Sequence, residues 1–118
     1  MSSERDPGCI FCKIAAGEIP AREIFRDDVV LAIEDVNPQA PSHILVLPQA
    51  HVANASSFAA SASPEMIARL FAKAAELGKQ HGQSGYRIVI NEGSDGGQTV
   101  EHLHLHVLGG RHMRWPPG

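Results

Sequence analysis

Three histidines, His102, His104 and His106, occupy every second position of the apolar run "EHLHLHVLGG" at residues 101–110. Neutral imidazole is a good nucleophile near neutral pH, and its N-phosphoryl adduct is reactive enough to hydrolyse. A row of imidazoles can therefore supply an attacking nitrogen, an orienting neighbour and a donor to a phosphate oxygen. The same His-x-His spacing also makes a chelating face for a metal such as zinc. A lone strand histidine is ordinarily a surface or satisfied core residue. Three alternating ones over an apolar backing ask for more than that.

Two further segments carry polar chemistry. The stretch "NEGSDGGQT" (91–99) holds Gly93, Gly96 and Gly97, begins at Asn91 and ends at Thr99. On glycine content alone it reads as a flexible hairpin connector. Its position directly before the histidine run also makes it a cradle for a phosphate or oxyanion, because glycine lets backbone N–H groups approach an anion closely. It has no lysine, and Glu92, Asp95 and Glu101 are acidic, so an anion there depends on amides, hydroxyl and imidazole. The second segment is Cys9-x-x-Cys12, which contains the only two cysteines. In a reducing compartment this pairing points to a metal or redox role before a structural disulfide.

The elements that must position these groups follow from periodicity. With a repeat of two, residues 99–108 read as a strand. The three imidazoles share one face at ~6.5–7 Å intervals, and Leu103, Leu105 and Val107 share the other. Strands are expected at 22–26, 29–35, 43–48 and 86–91, with Asp27-Asp28 as the first turn. The prolines of "VNPQAPS" (36–42) interrupt any ladder there. A short helix is expected within 9–20. A long one runs over 64–81, with Ser63 as N-cap, Pro64 in the first turn, and Ile67, Leu70, Phe71, Ala74 and Leu77 as its apolar stripe. Gly82 ends it. Hairpin-length connections favour an α+β fold: a five-stranded antiparallel sheet with one long and one short helix on one face.

The chain has 118 residues, enough for one domain with a real core. Hydrophobic residues make up 43% and charged residues 19%, which excludes a disordered chain. A net charge of −3 leaves no basic footprint for a nucleic acid polymer, while a single nucleotide in a local pocket stays open. No run approaches the ~20 apolar residues of a membrane span. The start, "MSSERDPG", lacks the apolar stretch of a signal peptide, so a cytoplasmic protein with no membrane partner is expected.

The motif "HLHLHVL" resembles the His-φ-His-φ-His-φ-φ signature of the histidine triad superfamily of nucleotide hydrolases and transferases. "CIFCKI", "GEIPA", "DVNPQAPSHILVLP", "GYRIVINEGSDGGQ" and the terminal "WPPG" extend the likeness through nearly the whole chain, to the Hint branch of nucleotide-binding proteins. The resemblance implies a homodimer with a shared ten-stranded sheet. It also implies hydrolysis of purine nucleoside phosphoramidates to a nucleoside monophosphate and an amine.

By motif position, His104 would be the nucleophile, with the carbonyl of His102 holding its other nitrogen. His106 and the Gly97 and Thr99 amides would bind phosphate oxygens, and the Thr99 hydroxyl would assist the leaving amine. Many relatives have serine there. Asn91 would lie near phosphate and ribose, and Asp35 would take the ribose hydroxyls. Ile10, Phe11, Ile14, Ile33 and Val36 would sandwich the base. His43, close to the triad, and Gln98, in the glycine loop, would both belong to the nucleotide-binding set. Trp115 would wall the partner's site. Cys9, Cys12, His51 and His102 would hold a structural zinc, with no metal required at the phosphate. Gln49 and Ala50 stand where many relatives carry lysine. The rival readings are a dinucleoside polyphosphate hydrolase, against which "GGRHMRWPPG" argues, and a nucleotide-binding or scaffolding protein with incidental hydrolysis.

Overall fold

The computed structural model describes residues 5–118. The reading of the N-terminus concerns in part residues 1–4, which lie outside the described residues. Five strands form one antiparallel sheet: β1 (Glu23–Arg26), β2 (Val30–Glu34), β3 (Ser42–Pro48), β4 (Tyr86–Ile90) and β5 (Leu105–Gly109). Their order is β1-β2-β3-β5-β4, which puts the histidine-bearing strand between β3 and β4. The register pairs Leu45 with His106 and His106 with Val89.

The sheet is buried on both sides, and the alternation along each strand shows why. Val30, Ala32, Ile44, Val46, Leu105 and Val107 point to one face and pack against Leu70, Ala74 and Leu77 of α3 (Pro64–His81). Leu31, Ile33, Leu45 and Leu47 point to the other and pack against Phe11, Ile14 and Ala15 of α1 (Ile10–Ala15). The helices therefore cover both faces, not the single face expected. The near-continuous apolar runs of β2 and β3 are what two-sided burial requires.

α3 starts as its sequence dictates: the Ser63 hydroxyl accepts the Met66 N–H at 3.2 Å, a cap of about 1 kcal/mol. Its stripe is narrower than expected, because Phe71 is 44% exposed. Gly78 faces Tyr86 so closely that a Cβ there would meet the ring at 2.4 Å.

Two helices are additional to the two expected. α2 (Ala55–Ser61) is capped by Asn54, whose side chain accepts the Ser57 N–H at 2.9 Å, and anchored by buried Phe58. α4 (Gly93–Gly96) is a single turn inside the glycine loop. Among the described residues, no helix is long and apolar enough to cross a membrane.

The third departure concerns the histidines. β5 begins at Leu105, so His102 and His104 precede the ladder instead of lying within a strand over 99–108. Both partners end their pairing there, at Val46 and at Ile90. Pro48, two residues past Val46, has no N–H to offer, and Leu103 instead donates its N–H to Val52 at 2.7 Å. The chain stays alternating all the same: Leu103, Leu105 and Val107 are 2%, 0% and 2% exposed in the α3-side core.

Candidate functional site

His104 is buried against Phe11, whose ring stands edge-on at 5.0 Å, and lies 5.0 Å from the ring of His106. Its Nδ1 lies 2.7 Å from the main-chain oxygen of His102. A carbonyl only accepts, so in the neutral ring Nδ1 carries the proton and Nε2 has the lone pair. That is the state a nucleophilic imidazole needs.

A second chain of bonds fixes His106. The Gln39 N–H donates to Nδ1 of His43 at 3.0 Å, so the proton of His43 sits on Nε2. Nε2 lies 2.9 Å from Nδ1 of His106 and 3.4 Å from Oδ2 of Asp35. His106 accepts through Nδ1 and thus presents Nε2–H as a donor. Burial pushes its pKa down to about 4, helped by the neighbouring His104 and His43, so the ring is neutral near pH 7. Burial lowers His43 as well, and the Asp35 carboxylate opposes the shift. Asp35, His43 and His106 bring three metal-capable atoms together. The Gln39 bond argues against a metal there, because it leaves Nε2 of His43 protonated.

The cluster of Cys9, Cys12, His51 and His102 behaves differently. Nε2 of His102 donates to the Pro48 carbonyl at 2.8 Å, which frees its Nδ1. That atom lies 3.3 Å from Sγ of Cys9 and 3.6 Å from Sγ of Cys12, while Nδ1 of His51 lies 3.5 Å from Sγ of Cys12. A tetrahedral ion with zinc bond lengths requires S···N edges of about 3.5 Å. Each sulfur also receives a main-chain N–H, Cys12 onto Cys9 at 3.4 Å and Asp6 onto Cys12 at 3.3 Å. The Asp6 donor favours the Cys12 thiolate. Without metal, burial pushes the Cys12 thiol up to about 11 and His102 down to about 4. The four side chains fit a structural zinc ion, with no position left open for a substrate.

In the glycine loop, Gly97 has φ +81°, a backbone conformation that disfavours other residues. Its N–H turns back to Ser94 at 3.1 Å, and that of Gln98 to Gly93 at 3.1 Å. The Gly97 amide, expected on the phosphate, is thus engaged within the loop. Among the described residues the Thr99 amide makes no hydrogen bond, and Thr99 is exposed. Thr99 and Ile10 line a cleft of about 360 Å³ with Cys9, His51 and Ala53. A larger cavity, about 660 Å³, lies between Gln80–Arg87 and Gly110–Met113 and contains none of the imidazole cluster.

Of the other residues singled out, Phe11, Ile14 and Ile33 are buried together on the α1 face. Ile10 and Val36 are 47% and 99% exposed. Asn91 is half-buried where β4 enters the loop. Trp115 is 81% exposed beside Arg87, 6.0 Å from its guanidinium. The side chain of Gln49 donates to the Asp27 carbonyl and accepts from Arg5. Gln39, which fixes His43, was not legible in the sequence, because it acts through its main-chain N–H.

The comparisons agree with this geometry. The HIT domain model matches residues 16–113. A 14 kDa zinc-binding protein of Zea mays is 44% identical over the full length of both chains. The crystal structure of a HIT family hydrolase from Legionella pneumophila has a TM-score of 0.88 and 47% identity, covering 94% of this chain and 100% of that one. A Zn-bound histidine triad family protein from Mycobacterium smegmatis has a TM-score of 0.76 and 34% identity, covering 88% of this chain and 76% of that one. With its imidazole row and its Cys-Cys-His-His cluster, the chain belongs to the HIT domain family.

Proposed function

We propose that the protein hydrolyses purine nucleoside phosphoramidates through a nucleotidyl-His104 intermediate, as a homodimer carrying a structural zinc. The observation that carries this is the bond from Nδ1 of His104 to the His102 carbonyl, which leaves the Nε2 lone pair free on a ring whose centre lies 5.0 Å from that of His106.

Nε2 of His104 attacks the α-phosphorus, the P–N bond breaks, and the amine leaves with a proton that the Thr99 hydroxyl helps deliver. Water then attacks the same phosphorus, the P–Nε2 bond breaks, and the proton lost by the water balances the one the amine took, which returns a neutral imidazole and releases the nucleoside monophosphate. His106 and the Thr99 amide hold phosphate oxygens, and Asp35 takes the ribose hydroxyls. Asn91 lies near both, and Ile10, Phe11, Ile14, Ile33 and Val36 bound the base. Trp115 reaches the partner's site. The likeness to a HIT family hydrolase supports the reaction class. The zinc-binding and Zn-bound relatives support the metal.

The test is hydrolysis of a fluorogenic adenosine phosphoramidate by wild type and by His104→Ala. Turnover by the first and near silence from the second is the expected result. Equal rates would remove the triad from the reaction. Faster cleavage of a dinucleoside polyphosphate by wild type would favour the other hydrolase class. Silence from both proteins, with AMP still bound, would leave a nucleotide-binding protein.

A further inference from the structure

Residues 51–56, which run from the loop after β3 into the first turn of α2, touch the metal cluster, the main chain before His104 and the glycine loop. His51 offers Nδ1 to the metal cluster. The Val52 carbonyl accepts the Leu103 N–H at 2.7 Å and so holds the main chain between His102 and His104. The Ala53 carbonyl accepts the side-chain amide of Gln98 at 2.7 Å. Ser56 donates its N–H to the Glu92 carboxylate at 3.0 Å and its hydroxyl at 2.8 Å.

Gln98 then closes the loop on itself. Its other amide hydrogen goes to the Val100 carbonyl at 2.9 Å, and its oxygen accepts the Gly93 N–H at 3.3 Å. Both of its donors are engaged, so the side chain has none left for a ligand. Glu92 holds the entrance of the glycine loop and Gln98 the exit, and both tie it to one segment. That segment is anchored by α2 through Phe58 and, through His51, by the metal cluster. A loop with three glycines loses much conformational freedom on ordering, and these bonds are what hold it.

We propose that Gln98 and Glu92 are positioning residues. They set the phosphate end of the site by bracing the glycine loop, and neither touches the nucleotide. The proposal rests on the nucleotide reading above. It predicts a selective defect, because a loose loop weakens the grip on the phosphate and leaves the nucleoside pocket intact.

The experiment measures AMP and adenosine affinity, melting temperature, and amide hydrogen exchange over 93–99 for wild type, Gln98→Leu, Glu92→Ala and Glu92→Gln. Gln98→Leu and Glu92→Ala should lose about tenfold in AMP affinity while adenosine stays within about twofold. The amides of the loop should exchange faster. Glu92→Gln keeps an oxygen for Ser56 and should recover most of the AMP affinity.

Equal losses for AMP and adenosine with a lowered melting temperature, or unchanged AMP affinity in both disruptive variants, would overturn the proposal. If Gln98→Leu does not fold, the exposed Glu92 pair carries the same test. If wild type binds neither AMP nor adenosine, the nucleotide reading fails by itself. The exchange rates then decide the brace: faster exchange upholds it and unchanged exchange overturns it.

Discussion

His102 and His104 are joined by a bond from Nδ1 of one ring to the main-chain oxygen of the other residue, at 2.7 Å. The ring of that same His102 faces Cys9 and Cys12 with its free nitrogen. One residue therefore belongs to the metal cluster through its side chain and holds the His104 ring through its backbone. Loss of metal removes a restraint two residues away from His104, the proposed nucleophile.

Zinc removal should consequently reach catalysis as well as stability. Dialysis against a strong chelator, or Cys9→Ser, should lower the melting temperature and reduce kcat about tenfold or more, with a smaller change in KM. Re-addition of zinc should restore the chelated wild type but not Cys9→Ser. Thermal unfolding and steady-state kinetics, run beside a metal assay of the purified protein, check both halves. An unchanged kcat in metal-free protein would separate the two centres.

The acid side of the stability profile follows from His43 and His106, whose folded-state pKa values lie below the ordinary histidine value, that of His106 at about 4. Between about pH 6.5 and pH 4 the unfolded chain takes up protons that the folded one refuses, so stability is full above this window and falls as pH falls through it. Urea midpoints measured from pH 7.5 to pH 4.5 should decline, and His106→Asn should flatten the slope. An equal slope in that variant would assign the decline to other groups.

Gly78 on α3 gives a packing test far from the imidazoles. A methyl group there meets the Tyr86 ring at 2.4 Å. Gly78→Ala gains in helix propensity, by about 1 kcal/mol, yet should destabilise the protein by about 1–3 kcal/mol net, because the ring must move. Gly78→Ala combined with Tyr86→Leu should recover part of the loss. Chemical denaturation of the four proteins completes the cycle.

Most of this architecture was legible in the residues. The strands expected at 22–26, 29–35, 43–48 and 86–91 agree with β1 to β4 to within a residue at each end. The helix over 64–81 is α3, since cap, proline and stripe all pointed the same way. α2 escaped notice because "ASSFAAS" has one large apolar residue and hence no period; its only signal was Asn54, the cap. α4 was hidden by glycine, which reads as loop even where it makes a helical turn.

The spacing of the imidazoles was legible, but the point where their strand begins was not. Pairing ends where β4 stops at Ile90 and where β3 reaches Pro48, which has no N–H to offer, and that is a property of the neighbours, not of the histidine run. The hydrogen-bond roles of Gln98 and Gln39 were equally out of reach, because both depend on which carbonyl or ring lies opposite in three dimensions.

The two-sided alternation of residues 102–107 also guards the folding reaction. Slipping this segment by one residue would drive polar rings into the α3-side oil and turn Leu103, Leu105 and Val107 toward the pocket. Each face penalises that error separately, one by stranding imidazole nitrogens and the other by losing leucine contacts. The pattern that gathers the imidazoles is thus also a proofreader of its own alignment, because the slipped register is penalised on both faces at once.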